Sequence, residues 1–470
     1  TITSAQAAPQ PNAEIIATQG ALRLIFPEPG TIDLDFVSLE PRTTYKDLKH
    51  FRPDLVEALA DLHPRFMRFP GGCITHGLGL NNMYHWDRTI GPVEHRPHNF
   101  NVWGYHQSFR IGFYEYFRLC ETIGAKPLPV LPAGMSCQNT SQGPVPVAQE
   151  DMPAYIDEVL GLIDFCNADS ATNKWAAKRA AMGHIEPFNL EYLGIGNEDL
   201  ITDIFKERFT MIFNAIKEKY PETIVVGTVG PFNEGTDYVE GWKLADKLGV
   251  PMVDEHYYQS PGWFLHNQDF YDKYDRSKKT RVYLGEYATH IPGRKANIET
   301  ALTEALYLAS LERNGDVVHM TSYAPLLAKE RHTQWNPDLI YFNNREVKPT
   351  TGYYVQKLYG QNAGNEYLPS KIVLDNKDDK VRKRFASSIV RDSVSGDVIV
   401  KLVNLLPVEV NTNVDLSGIG AVQPSAKRTV LTGKPTDTPL PVEDRIQIAE
   451  KFDCNLPAYS FTVIRIQKAN

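Results

Sequence analysis

Between residues 65 and 323, short apolar runs alternate with amphipathic stretches. The runs are 65–70, 127–131, 190–196, 224–229, 252–257, 282–286 and 317–323. Between or before them lie helical periodicities over 52–62, 112–122, 152–166, 204–219 and 298–313. Few folds satisfy such a pattern. Strand, helix and strand in turn predict βαβ units and a parallel sheet covered by helices. At this chain length the expected closed form is a (β/α)8 TIM barrel. The runs number seven and a closed barrel needs eight, so the first strand is expected before Arg65, either disguised or absent from this chain. Beyond about Leu368 the texture changes to short strand-like runs separated by turns such as Ser395-Gly396 and Gly418-Ile419-Gly420. That is the pattern of a β-sandwich of about a hundred residues. The chain is therefore expected to divide into a β-rich segment over 1–41, a barrel over 42–367 and a β-sandwich over 368–470.

Two glutamates stand at run ends: Glu198 in Gly194-Ile195-Gly196-Asn197-Glu198, and Glu286 in Leu284-Gly285-Glu286-Tyr287. The C-terminal ends of barrel strands are where such folds keep their chemistry. Either carboxylate alone reads as an ordinary strand-end ion pair. Two on different strands suit an acid and a nucleophile acting on one glycosidic bond. The Asn197 amide is placed to donate to a sugar hydroxyl. Strand periodicity puts Leu284 and Glu286 on one face, with Tyr283 and Gly285 on the other.

The run Asp254-Glu255-His256-Tyr257-Tyr258 places Asp254, His256 and Tyr258 on one strand face. Three polar side chains inside a barrel are costly unless hydrogen-bonded, so a network with a carboxylate is expected. Arg68 is a charge within a strand and needs a partner, with one of the two glutamates the natural choice. Gly71-Gly72 after it makes a loop whose backbone a ligand can approach. The polar, proline-containing tract 86–97 is expected to shape a substrate pocket.

Composition removes other classes. The net charge of −8 carries no long basic block, so neither nucleic acid nor an anionic membrane surface is an expected partner. No apolar run approaches the roughly 20 residues of a membrane-spanning helix. The five cysteines include no C-x-x-C pair and read mainly as free and buried. Thirteen histidines lack an H-E-x-x-H spacing, and no pattern asks for a metal or other cofactor. P-loop and G-x-S-x-G motifs are missing as well. A single N-x-S/T sequon stands at Asn139. The small, polar start TITSAQAAPQP reads as a processed end, and a secreted or periplasmic protein is expected.

At these residues the chain resembles the α-L-arabinofuranosidases of glycoside hydrolase family 51. The resemblance rests on FPGGC (69–73), WDRTIGPVEHRP (86–97), WGYH (103–106), GIGNE (194–198), DEHYY (254–258), LGEYA (284–288), SYAPLL (322–327) and WNPDLIYF (335–342). It implies a barrel with a C-terminal β-sandwich and retaining, exo-acting release of terminal arabinofuranosyl units from arabinan or arabinoxylan-type polysaccharides. It also implies Glu198 as general acid/base and Glu286 as nucleophile. Cys73 and Asn197 match sugar-contacting positions, and Tyr258 matches the tyrosine that holds the nucleophile. His256 and Arg68 complete the expected substrate site. Relatives carry the first barrel strand near their N-terminus, with a β-rich module after it. Residues 21–39 resemble the end of such a module, and an upstream segment is expected to complete the barrel. Two rivals remain open at this point: another retaining glycosidase, such as an endo-xylanase or glucanase, and a non-catalytic carbohydrate-binding protein. The sequence also leaves a homo-oligomer open.

Overall fold

The computed structural model describes residues 25, 28–35, 37 and 43–469. The expected β-rich start falls mostly outside the described residues. Its described part, 28–35 and Val37, forms no strand.

The barrel strands are β1 (Phe66–Phe69), β2 (Lys126–Leu131), β3 (Tyr192–Ile195), β4 (Ile224–Thr228), β5 (Met252–Gln259), β6 (Arg281–Thr289) and β7 (Val318–Tyr323). All pair in parallel and in chain order, so each connection carries the chain one strand onward. Helices α1 (Pro53–Asp61), α2 (Phe113–Ile123), α3 (Met152–Asn167), α4 (Lys174–Ala181), α5 (Asp203–Lys219), α6 (Thr236–Leu248), α7 (Pro261–His266), α8 (Ile298–Arg313) and α9 (Thr351–Gln361) surround them. Helices α4, α6, α7 and α9 have no counterpart among the expected periodicities. They are short or rich in polar and aromatic residues, which blurs their apolar stripe.

Two apolar layers follow from the strand alternation. Leu128, Val130, Val226, Met252 and Tyr283 pack together inside the barrel. Their sequence neighbours Leu131, Val225, Val253, Val282 and Leu284 join the larger core against the helices. Burial on both faces is the signature of a parallel sheet. Among the described residues the sheet is not closed: β1 and β7 are its two edges.

The C-terminal strands are β8 (Glu366–Tyr367), β9 (Phe385–Arg391), β10 (Val398–Asn404), β11 (Val410–Asp415), β12 (Ser425–Thr432), β13 (Val442–Gln447), β14 (Lys451–Leu456) and β15 (Ser460–Ile466). They form a six-stranded antiparallel sheet, β8-β9-β10-β15-β12-β13, and a β11-β14 pair. Val398, Val400, Ile464 and Ile466 face the pair through Val414, Phe452 and Leu456. The alternate residues Ile399, Val403, Phe461 and Val463 join the barrel's helical core. The sandwich is thereby fixed to the barrel through α8.

Lys401 lies on that second face and is fully buried. Its Nζ donates to Glu312 Oε1 on α8 at 2.6 Å and sits 5.0 Å from the Tyr359 ring centre. Ser388 on β9 donates to the other oxygen of Glu312. Removing one partner of a buried pair leaves a bare charge. Glu312→Ala is therefore expected to destabilise the protein by about 3–5 kcal/mol in urea unfolding. The double replacement Glu312→Gln with Lys401→Met should cost much less.

Candidate active site

The site is built around Arg68, whose guanidinium lies inside the barrel near the end of β1. Its Nη1 donates to Glu286 Oε1 at 2.7 Å, its Nη2 donates to Asn197 Oδ1, and Asp254 Oδ2 lies 3.9 Å away. One cation thus ties β1 to the ends of β3, β5 and β6.

Strand β5 presents Asp254, His256 and Tyr258 inward. Tyr258 donates to Glu286 Oε2 at 2.8 Å. His256 Nδ1 lies 3.0 Å from Glu198 Oε1 and 3.7 Å from Glu286 Oε2, and its Nε2 lies 3.0 Å from Asp254 Oδ2. The outward residue Glu255 is a separate matter. It is buried among the helices, where Tyr238, Trp242, Tyr271 and Tyr274 all donate to it.

The face expected for Glu286 needs correction. Tyr283 points into the barrel and Leu284 points to the helices, so plain alternation would turn Glu286 outward. The register against β5 runs Tyr283 to Asp254, Leu284 to Glu255, then Glu286 to His256. Gly285 is therefore an extra residue in β6, and this bulge returns Glu286 to the interior. Only glycine suits the position, because a Cβ there would fall on the Asp254 carboxylate.

A second backbone device presents Glu198. Gly196 has φ +90°, and a Cβ would approach Asp199 Oδ2 to 2.5 Å. Glu198 itself has φ +52°, a left-handed conformation uncommon outside glycine. The Asn197 amide N–H donates to Asp199 Oδ2 at 2.8 Å and holds this turn.

Arg68, Cys73, Glu198, Tyr258 and Glu286 line one cavity of about 2060 Å³. It extends from the strand ends down the open edge between β1 and β7. Asn197 and His256 are fully buried and stand behind the lining residues. Asn197 Nδ2 donates to no protein acceptor. The tract 86–97 does not line the cavity, contrary to expectation. Trp86 is buried and donates to the Glu158 carbonyl, and Arg96 is buried against Glu115. These anchors turn the tract toward α2 and α3. Trp103, Tyr105, Phe232 and Trp335 line the cavity instead. Trp103 and Trp335 fall within the WGYH and WNPDLIYF motifs, but single aromatics give no local signal that separates pocket from core.

The two glutamates are electrostatically unlike. An oxygen of each, with a His256 nitrogen, falls within 4.8 Å of the others. Burial, and then the Glu286 charge, raise Glu198 above the ordinary carboxyl range. Burial also acts to raise Glu286, but the His256 and Arg68 charges and the Tyr258 hydrogen bond outweigh it and hold it low. Flanked by carboxylates, His256 is pushed up to about 10 although its burial opposes the charge. Proton affinity is thus raised at Glu198 and lowered at Glu286, the direction expected of acid and nucleophile.

Comparison with known proteins gives the family. Residues 58–276 match the family model "Alpha-L-arabinofuranosidase 1 domain", and residues 271–461 match "Alpha-L-arabinofuranosidase C-terminal domain". The solved structure of arabinose-bound MgGH51 α-L-arabinofuranosidase superposes with a TM-score of 0.79 at 30% identity, over 89% of this chain and 67% of that one. The chain belongs to the α-L-arabinofuranosidases of glycoside hydrolase family 51. An extracellular exo-α-L-arabinofuranosidase of Streptomyces chartreusis is 46% identical over 350 residues, which is 72% of this chain and 42% of that protein. α-L-arabinofuranosidase 1 of Arabidopsis thaliana is 31% identical over 95% of this chain and 65% of its own length. The chain thus spans less than two thirds of either curated relative. Among the described residues no helix is long and apolar enough to cross a membrane.

The coupling of the two carboxyls is directly testable. In Glu286→Gln the neighbouring charge is gone, so Glu198 should titrate lower than in the wild type and hold its proton less well. A carboxyl-detected NMR titration reads this. An unchanged Glu198 would mean that burial alone sets its proton affinity.

Proposed function

We propose that the protein is an exo-acting, retaining α-L-arabinofuranosidase that releases terminal arabinofuranosyl units from arabinan or arabinoxylan-type polysaccharides. The observation that carries this reading is the facing pair Glu198 and Glu286, less than 5 Å apart at their nearest oxygens, with proton affinity raised at the first and lowered at the second. Retaining enzymes keep their carboxyls about 5–5.5 Å apart, because no water needs to fit between nucleophile and sugar.

In the first step a Glu286 oxygen attacks the anomeric carbon as the glycosidic C–O bond breaks, and Glu198 gives its proton to the departing oxygen. The product is a glycosyl ester on Glu286. In the second step Glu198, now a carboxylate, takes a proton from water, and that water attacks the anomeric carbon and frees Glu286. Arg68 and Tyr258 hold the Glu286 oxygens and keep the carboxylate aimed. His256 steadies Glu198 while it is ionised between the steps. Cys73, which lines the cavity, offers its side chain to the sugar, and Asn197 behind it accepts from Arg68. The S. chartreusis relative is named extracellular, which supports a secreted or periplasmic location.

The open edge between β1 and β7 has room for one more parallel strand, and we infer that a segment upstream of the described residues occupies it. The chain alone should then turn over an aryl arabinofuranoside at least tenfold more slowly than the same chain extended upstream by a first barrel strand. Equal rates would sink this inference.

The assigned roles predict distinct variants. Glu286→Ala should abolish turnover on every substrate, since no leaving group replaces a lost nucleophile. Glu198→Ala should lose roughly 10²–10⁴-fold on natural linkages, the usual worth of general acid–base catalysis, and much less with an activated aryl leaving group. Added azide should rescue Glu198→Ala and give the α-azide, because two inversions preserve configuration. A β-azide would overturn the assignment. The pH dependence has a definite sign. Activity falls on the acid side as Glu286 takes up a proton, and on the alkaline side as Glu198 loses one. In Glu198→Ala the alkaline limb should vanish from kcat/KM and the acid limb should stay.

A further inference from the structure

A second cluster of ligating side chains lies outside the glutamate pair, where the start of the 86–97 tract meets α3. His85, Asp87 and Glu158 each bring one donor atom to within 4.8 Å of the other two. All three are half-buried. His85 Nδ1 lies 3.0 and 2.9 Å from the two oxygens of Glu158. That spacing suits a hydrogen bond. It is also close to the ~3.0 Å between adjacent ligands on an octahedral ion with bonds of ~2.1 Å, and a few tenths short of the ~3.4 Å of a tetrahedral one.

The backbone on both sides is already set. Trp86, between His85 and Asp87, is fully buried and packs against Phe165 and Trp175. Its indole Nε1 donates to the backbone carbonyl of Glu158 at 2.8 Å. Thr89 Oγ1 donates to the Trp86 carbonyl at 2.8 Å and holds the 3-10 turn Trp86–Thr89. One anchored residue therefore fixes the two flanking ligands against the third, so little ordering remains for an ion to drive. Among the described residues, the Asp87 side chain makes no hydrogen bond or ion pair.

We propose that His85, Asp87 and Glu158 bind a divalent first-row transition metal ion, such as Zn²⁺ or Mn²⁺, with water in the remaining positions. One nitrogen and two carboxylates suit these ions better than Ca²⁺, which favours oxygen alone. The ion clamps the tract to α3. The tract runs on to the hairpin of Trp103 and Tyr105 at the cavity, and Tyr105 Oη accepts from the Gln334 amide at 2.6 Å. The site thereby steadies one wall of the cavity from a distance and supplies no reacting group.

The test is metal binding by the whole chain after chelator treatment and dialysis. Co²⁺ absorption and Zn²⁺ calorimetry report the ion, and thermal unfolding reports the clamp. Because Glu198, His256 and Glu286 also bring ligating atoms together, the titration is repeated on a Glu198→Gln, Glu286→Gln double variant. The expected result is one ion per chain with a raised Tm, retained in that double variant. Asp87→Asn, which breaks no hydrogen bond, and His85→Gln should each weaken Kd at least about tenfold. Absence of binding by the native chain, loss of binding in the active-site double variant, or unchanged Kd in Asp87→Asn and His85→Gln would each overturn the proposal.

Discussion

Arg68 is the interaction on which the site depends. A guanidinium inside a barrel is tolerated only if its charge is matched and its donors are used. Here Glu286 and Asp254 supply the charge, and Asn197 takes another donor. Each partner sits on a different element, so satisfying one buried cation sets the relative positions of four strand ends. The desolvation that makes this arrangement costly also makes it stiff, because no partner can leave without baring a charge.

The same accounting explains why two neighbouring glutamates behave differently. The buried cluster holds two cationic groups, Arg68 and His256, and three carboxyls, Asp254, Glu198 and Glu286. Charge balances when one carboxyl keeps its proton. Glu286 takes two hydrogen bonds, from Arg68 and Tyr258. Among the described residues Glu198 has only the imidazole contact with His256. Proton affinity is therefore higher at Glu198 than at Glu286. On the proposed mechanism, a glycosyl ester on Glu286 would remove its charge, weaken the reason for Glu198 to stay protonated, and make Glu198 a better base for the second step. Ester formation would then set the timing of the exchange of roles.

Much of this was readable in the linear pattern. The seven barrel strands and five of the helices lie within three residues of their sequence periodicities, because each buries a continuous apolar face. The polar triple Asp254, His256 and Tyr258 was readable for the same reason, since period two on an uninterrupted strand fixes a face. The orientation of Glu286 was not. A bulge adds one residue without changing composition, and Gly285 looks like any strand glycine until Asp254 is found beneath it. The strands β13 and β14 give little sequence signal, because β13 is exposed on both faces and the outward positions of β14 carry Lys451 and Asp453.

The tract 86–97 shows why a loop's composition is a poor guide to its place. Its prolines and charges suggest a solvated rim, yet Trp86 is buried and Arg96 nearly so. Arg96 donates to both Glu115 oxygens and to the carbonyls of Gly91 and Phe109, so one side chain gathers backbone groups that a loop would otherwise leave unpaired. A buried loop is possible only with such a donor at its centre. The consequence reaches the cavity. With the tract held to α2 and α3, the hairpin after it projects Trp103 and Tyr105 over the strand ends. The cavity wall is then fixed by an arginine that never touches the ligand. Arg68 and Arg96 do the same work at two scales: each is a buried cation whose unmet donors dictate where several otherwise independent segments must lie.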